Sequence, residues 1–261
     1  MMTVSDIAAA IEEFAPVSLQ ESYDNAGLQV GDPDMQVSAV LLCLDVTEEV
    51  MEEARKRQCN MVISHHPLLF KGLKRISGAT PTQRIVIDAL RDGIAIYSAH
   101  TNLDSAWEGV SHEIAHALGA TGLRVLQPKP GDPSVGLGIV GEIEPTPKME
   151  FLRKVKDIFN VKALRYSGQS SALVIRRVAV CGGSGGALIP DAIKAGADIY
   201  ISGGLKYHDF TDRGCEILLA DIGHYESELC SRKIFSRIIR EKYPDCVVYF
   251  SESEKNPVKY L

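Results

Sequence analysis

Two adjacent histidines stand where a ligand would bind in an α/β protein. His65 and His66 directly follow a short apolar run at residues 61–64, and Pro67 comes next. The apolar run predicts a β-strand, and the ligands of α/β sheets bind at the carboxyl ends of strands. Because neighbouring side chains on extended backbone point to opposite sides, the two imidazoles are better placed for two adjacent ions than for one. The alternative interpretation is a pair of turn histidines with no ligand.

Two further histidines are each followed by an acid four positions later. The pairs are His100 with Asp104 and His224 with Glu228, and each follows a predicted strand. Residues four apart share one face of a helix, so His224 and Glu228 can point at one place if His224 opens a helix. A carboxylate has two acceptor oxygens and can bridge two cations, and nitrogen and oxygen ligands suit Zn, Mn, Fe or Co. Two such ions would hold a hydroxide for hydrolysis. Alternatively, each pair is a capped helix start with a structural histidine.

A second histidine pattern is an alternative candidate for a metal site. His112, Glu113 and His116 match the H-E-x-x-H zinc-protease motif on a predicted helix. A protease of that type needs a third ligand downstream, and the next acids after this helix are Asp132, across a proline-rich stretch, and Glu142. From the residues alone the zinc-protease interpretation therefore stays open, without an evident third ligand.

A glycine-rich run at residues 182–186 also allows several interpretations. Gly182-Gly183-Ser184-Gly185-Gly186 matches the G-x-S-x-G nucleophile elbow between a strand and a helix. Backbone N–H groups at a helix start bind anions, and we expect that use of Gly183, Ser184 and Gly185. A tight turn that simply requires glycine is the equal alternative.

Short β-branched runs alternate with helical stretches along the chain, which predicts an α/β fold. Strands are expected at residues 37–45, 61–64 and 94–99, and Ser5 is expected to cap the first helix. Residues 127–134 are rich in Pro and Gly and predict a linker before a second set of elements.

The two halves of the chain resemble each other in sequence. Residues 40–43 (VLLC) correspond to residues 178–181 (VAVC) at an offset of 138, and the same offset relates the strand at 62–64 to 200–202. His100 and His224, each followed by an acid at the fourth position, are 124 residues apart. We therefore expect a pseudo-duplicated α/β protein with a site between the halves.

The composition excludes several classes of protein. The chain has 261 residues with a formal net charge of −6, and no apolar run is long enough for a membrane span. An acidic surface disfavours binding to nucleic-acid phosphates. The six cysteines stand singly without a C-x-x-C pair, which is typical of reduced core thiols in a cytoplasmic protein.

Six motifs together resemble those of the Nif-three-like family of dinuclear-metal-centre proteins, the GTP cyclohydrolase 1 type 2 homologs. The resemblance covers essentially the whole chain. Tyr23 replaces the usual Trp, and Gly204 replaces an Asp that the family usually has. The motifs are YDNAGLQVG at 23–31, ISHHP at 63–67, HTNLD at 100–104, VCGGSGG at 180–186, KYH at 206–208 and GHYxSE at 223–228.

The resemblance implies two similar α/β domains with mixed sheets and a metal site in the cleft between them. The expected domains are residues 1–126 plus 243–261 and residues 127–242, with no inserted extra domain. It also implies a toroidal homohexamer, built as a trimer of dimers, and two divalent ions per chain, whose ligands are His65, His66, Asp104, His224 and Glu228.

The resemblance also suggests roles for two histidines and a lysine near the metals. His100 and His208 resemble non-ligand histidines that orient a ligand or relay a proton, and a structural role is the alternative for each. Lys206 is expected to meet an anionic substrate group, although a solvated surface lysine would look the same.

Two functions follow from these features. The first is a cytoplasmic, metal-dependent hydrolase of a nucleotide-like or otherwise phosphorylated small molecule. The second is a hexameric metal-binding or interaction protein without turnover. Five ligands shared by two ions leave coordination positions open, which favours catalysis.

Overall fold

The computed structural model describes residues 2–168 and 170–261, and its contacts divide them into two compact units. The first unit comprises the residues up to Ala106 together with Ser231–Pro257. The second comprises Trp107–Cys230 and Val258–Leu261. Each unit is built around one mixed sheet, so the predicted α/β class with two similar domains is confirmed.

The first unit packs helices around a sheet in the order β1-β4-β3-β2-β11. Strands β2, β3, β4 and β11 run parallel, and β1 is antiparallel to β4. Its elements are α1 (Val4–Phe14), β1 (Gly27–Val30), β2 (Val40–Cys43), α2 (Glu48–Lys56), β3 (Met61–Ser64), α3 (Pro81–Asp92), β4 (Ala95–Ser98), α4 (Thr101–Ser105), α10 (Ser231–Lys242) and β11 (Val248–Phe250).

The three central strands of this sheet are buried at every position, which is why they read as continuous apolar runs. Helix α1 begins at a different cap from the predicted one. Thr3 accepts a hydrogen bond from the Asp6 N–H, and the Asp6 carboxylate accepts one from the Thr3 N–H. Ser5 lies inside the helix, so the prediction of a Ser5 cap is wrong; the reciprocal Thr3–Asp6 pair satisfies two N–H groups instead of one.

The second unit has a sheet in the order β5-β6-β8-β9-β10-β7. Strands β8, β9 and β10 run parallel, and the others pair antiparallel. Its elements are α5 (Val110–Ala117), β5 (Thr121–Lys129), β6 (Asp132–Pro147), α6 (Lys148–Ile158), β7 (Arg165–Tyr166), β8 (Val174–Ser184), α7 (Ile189–Lys194), β9 (Ile199–Gly203), α8 (Tyr207–Arg213), β10 (Leu218–Asp221) and α9 (His224–Glu228).

The predicted linker at 127–134 is wrong, because those residues form the turn of a β-hairpin. Lys129 pairs with Asp132, and Pro128 pairs with Gly136 across the two long strands β5 and β6. The compact units also have other bounds than the expected domains. Residues 107–126 belong to the second unit through β5, whereas α10 belongs to the first unit, where it packs against α1.

The pairing registers confirm the internal repeat. Val40 pairs with Met61 in the first unit, and Val178 pairs with Ile199 in the second, both displaced by 138 residues. The next pairs, Met61 with Ala95 and Ile199 with Leu218, give an offset of 218 − 95 = 123. His100 and His224 are 124 apart because one extra residue follows β10.

Among the described residues all six cysteines are free thiols, and four of them are buried, whereas Cys230 is partly buried and Cys215 is exposed. The expectation of core thiols therefore holds for four positions. Burial raises the pKa of the Cys59 thiol to about 11. No helix of the described residues is long and apolar enough to cross a bilayer.

Candidate metal centre

Three imidazoles of the first unit form one cluster. His65 and His66 follow β3, and His100 follows the neighbouring parallel strand β4. One ring nitrogen from each lies within 4.8 Å of the others, and the ring centroids are 5.3–5.5 Å apart. The structure therefore brings His100, expected to be a non-ligand, into the same cluster as two predicted ligands.

Each imidazole of this cluster is held through its Nδ1 atom. His65 Nδ1 lies 2.9 Å from the carbonyl oxygen of Ala99, and His66 Nδ1 lies 2.8 Å from Asp45 Oδ1. His100 Nδ1 lies 2.8 Å from an oxygen of Asp24. A hydrogen bond of this kind fixes the ring and assigns the proton to Nδ1, which leaves the lone pair of Nε2 available to a metal ion or to a proton.

Asp104 adds a carboxylate beside the cluster. Helix α4 starts immediately after His100, and the Asp104 N–H donates to the His100 carbonyl at 3.0 Å. Asp104 Oδ1 lies 3.6 Å from Nε2 of the fully buried His65. Two ligands on one tetrahedral ion, with bonds of about 2.1 Å, lie roughly 3.4 Å apart. The spacing therefore fits two ligands of a shared cation.

Two carboxylates in this region were not singled out from the sequence. Asp24 lies in the motif at 23–31, and Asp45 follows strand β2. Burial raises the pKa of Asp24, but hydrogen bonds from His100 and Thr101 outweigh it and hold the pKa well below its usual range. Asp24 therefore stays charged and orients His100. The only sequence signal for it was its place in a recognised motif.

The second unit carries a histidine and a glutamate on α9. His224 Nε2 lies 2.9 Å from Glu228 Oε2, as expected for residues four apart on a helix. The Glu228 side chain is 3% exposed, and that of His224 is 43% exposed. Ser184 Oγ lies 3.3 Å from Nδ1 of His224. The prediction that the pair points at one place is confirmed.

The glycine run packs directly against Glu228. A Cβ on Gly183, whose φ is +62°, would lie 2.1 Å from Glu228 Oε1. The N–H of Gly183 donates to Ser227 Oγ at 2.9 Å, and that of Gly185 donates to Ser202 Oγ at 3.0 Å. These two amides are engaged within the protein, which argues against their predicted use as anion donors. Residues 182–184 of the run end strand β8, and Gly183 makes room for a buried carboxylate.

His208 and Lys206 lie at the start of α8 and are exposed. The Lys206 N–H donates to Asp209 Oδ2 at 2.7 Å, which caps the helix. The His208 ring packs edge-on to Tyr207, with centroids 5.5 Å apart. Their roles in catalysis and anion binding, and that of Ser184, stay predictions.

The zinc-protease pattern on α5 forms no such centre. The His112 ring packs against Trp107 with centroids 5.0 Å apart. Among the described residues, no group of three metal-ligand side chains includes His112 or His116.

The donor atoms fit a divalent first-row ion. They are imidazole nitrogens and carboxylate oxygens without sulfur, and His65 and Glu228 are buried, where an ion would compensate the buried charge. The described residues thus include His and acidic groups able to hold metal.

The sequence profile of the Duf34/NIF3 (NGG1p interacting factor 3) family matches residues 2–257. The chain belongs to the NIF3 family. Its similarity to this family extends over whole chains. A GTP cyclohydrolase 1 type 2 homolog of Clostridium perfringens is 36% identical over 265 residues, which covers 100% of both chains. NIF3-like protein 1 of Drosophila melanogaster is 32% identical and covers 97% of this chain and 87% of its own length.

A solved structure has the same fold over the whole chain. A hypothetical protein of Staphylococcus aureus superposes with a TM-score of 0.89 at 27% identity, covering 100% of this chain and 99% of that one. The resemblance inferred from the six motifs is therefore confirmed.

Proposed function

We propose that this NIF3-family protein is a dinuclear metal-dependent hydrolase of a nucleotide-like or phosphorylated small molecule. The proposed ligands of two divalent ions, of Zn, Fe, Mn or Co, are five side chains. His65, His66 and Asp104 come from the first unit, and His224 and Glu228 come from the second. The observation that carries the proposal is that the His65 and His66 imidazoles are held through Nδ1 by a carbonyl and a carboxylate oxygen, as those of metal-binding histidines are.

The ions supply one kind of chemistry when bound: they lower the pKa of a coordinated water and polarise the bond to be cleaved. The chain's own residues do the rest. Asp24 keeps the Nδ1 proton of His100 in place. His100 Nε2 then exchanges a proton with the substrate at the edge of the cluster, as a general acid or base. His208 stays a second candidate for that role.

The substrate class comes from the names of relatives. Several curated relatives are called GTP cyclohydrolase 1 type 2 homolog, which points to a nucleotide-like substrate. Ser184 and Lys206 are the candidates for receiving its anionic group, since the Gly183 and Gly185 amides are engaged.

A second function is a metal-binding or interaction protein without turnover. The observation in its favour is the family description, which names an interacting factor. We further propose a cytoplasmic homohexamer, a toroidal trimer of dimers, from the resemblance of the six motifs. Mass determination by light scattering tests the hexamer.

Turnover by the metal-loaded chain tests the hydrolase proposal. Protein reconstituted with each of the four metals is incubated with GTP and a panel of phosphate esters, and products are separated by chromatography. Glu228→Gln is expected to abolish product formation while the assembly survives. Glu216→Gln, an exposed acid of the same unit that pairs with Arg213, is the control and should retain activity. Absence of product with every metal would contradict the proposal.

A further inference from the structure

Two exposed aromatic side chains border the histidine cluster of the first unit. Tyr23 is 63% exposed and Phe70 is 42% exposed, and their rings meet edge to face with centroids 6.4 Å apart. The Phe70 ring also lies edge-on to His100, with centroids 6.1 Å apart. Tyr23 immediately precedes Asp24, which holds His100. The aromatic pair and the cluster therefore form one continuous surface.

A network of amide hydrogen bonds ties together the two segments that carry these rings. The Asn25 side chain donates from Nδ2 to the carbonyl oxygen of Leu69 at 2.9 Å. The Leu69 N–H donates to Gln29 Oε1 at 3.2 Å, and Gln29 Nε2 donates to the Asn25 carbonyl at 2.7 Å. The relative position of Tyr23 and Phe70 is thus set by the backbone around both.

The segment before Phe70 is anchored in the core. Leu68 and Leu69 pack against the buried cluster of the first unit, whereas the Phe70 ring faces solvent beside His100. Burial of a phenylalanine is favourable, so a pair of exposed rings at a polar cluster indicates a contact surface.

We propose that Tyr23 and Phe70 form an aromatic platform beside His100, in which the planar heteroaromatic ring of the substrate stacks on the face of one ring and meets the edge of the other. The inference rests on the proposed function and specifies its substrate class as a nucleobase-like ring that carries a phosphate. Aromatic side chains bind any such ring through its π-face. Apolar walls with a few convergent polar groups are also typical of small-molecule sites.

Calorimetry on the full metal-loaded chain with GMP, ribose 5-phosphate and inorganic phosphate tests the platform. GMP is expected to bind at least about tenfold more tightly than ribose 5-phosphate, since stacking on an aromatic side chain has about that effect. Phe70→Leu and the Tyr23→Ala/Phe70→Ala double variant should remove most of this preference. Tyr23→Phe keeps the ring and should preserve it.

Two controls separate stacking from folding. Leu90→Ala removes an exposed apolar side chain of α3 that is 60% exposed, and it should leave the preference unchanged. The metal content and thermal midpoint of each variant should match the native protein, because the rings are largely exposed.

Equal affinity of the native protein for GMP and ribose 5-phosphate would overturn the platform, even if some phosphate ester is hydrolysed. A GMP preference that survives in the double variant would overturn it as well. Variants that change the oligomeric state but not the preference would show that the rings are a subunit contact. Conversely, a ring preference without any turnover would overturn the hydrolase proposal and leave the platform standing.

Discussion

Asp45 Oδ1 lies 2.8 Å from Nδ1 of His66, and this hydrogen bond connects the candidate metal centre to the end of the chain. The Asp45 N–H donates to Glu254 Oε1 at 2.7 Å, and the Leu44 N–H donates to the same oxygen at 2.6 Å. Glu254 Oε2 in turn lies 3.2 Å from Arg232. The Glu254 carboxylate, more than 200 positions along the chain, thus holds the backbone of Asp45, and Asp45 orients the predicted ligand His66.

Asp45→Asn should weaken metal binding without removing a ligand. The variant keeps the shape of the side chain but loses the charge that fixes the His66 ring, and loss of such a partner typically lowers metal affinity about 10–100-fold. Competition against a chromogenic chelator measures the affinity. Asp34→Asn, in an exposed loop of the same unit, is the matched control. Unchanged affinity in Asp45→Asn would show that His66 is not a ligand.

Glu254→Ala should lower both the metal affinity and the stability of the first unit. It leaves the N–H groups of Leu44 and Asp45 without their acceptor, which costs about 1–3 kcal/mol in the free energy of unfolding. Glu254→Gln retains an acceptor oxygen and should partly restore the metal affinity. Glu252→Ala, whose side chain is 81% exposed, is the control. Equal metal affinity in the Ala and Gln variants would argue against a positioning role.

Gly183→Ala should displace Glu228 and impair metal binding. The new Cβ would lie 2.1 Å from Glu228 Oε1 at a φ of +62°. Gly119→Ala is the matched control, since its φ is +79° with no heavy atom within 4 Å of the added Cβ. Both variants carry the left-handed strain of about 1–2 kcal/mol, which denaturant unfolding measures. Only Gly183→Ala should also lose metal, and retention of the native metal content would contradict the close packing of Glu228.

Glu53 makes the free energy of unfolding of the first unit depend on pH in the acidic range. Burial raises its pKa, but hydrogen bonds from Ser253, Ser251 and the Glu252 N–H outweigh it and lower the pKa to about 2. In the unfolded chain the Glu53 carboxylate is protonated near its ordinary pKa of 4.5. The stabilisation that the Glu53 carboxylate gives the folded state is therefore complete above pH 4.5 and is lost as the pH falls to about 2.

Denaturant unfolding at a series of pH values from 6 to 2.5 checks this prediction. Glu53→Gln should be less stable than the native protein at pH 6, and the difference should shrink as the pH falls below 4.5. Glu49→Gln, exposed on the same helix, should follow the native curve. A difference that stays constant over this range would contradict the depressed pKa.

The sequence predicts elements best where burial dictates residue type. Strand β3 was expected at residues 61–64 and is found at Met61–Ser64, because every position in it is buried. The internal repeat is also predictable from the sequence, since equivalent strands in both units keep apolar side chains in the same register. The hairpin at 127–134 is not predictable in this way, because Pro and Gly occur both in linkers and in tight turns.

The site was predictable in its ligand types but not in its supporting contacts. A histidine followed by an acid four residues later forms a local pattern, which the sequence displays directly. Asp24 lies 76 positions from His100, and Asp45 lies 21 positions from His66, so only the fold shows these pairs. The engaged amides of the glycine run likewise depend on distant serines.

Metal content is the measurement that tests the central claim most directly. Protein purified without chelators or a His-tag is analysed by plasma mass spectrometry beside the His65→Ala/Glu228→Ala double variant, with Asp34→Asn as control. The account predicts about two first-row ions per chain in the native protein and the control, and their loss in the double variant. A native protein that holds no metal, even after reconstitution with Zn, Mn, Fe and Co, would contradict it.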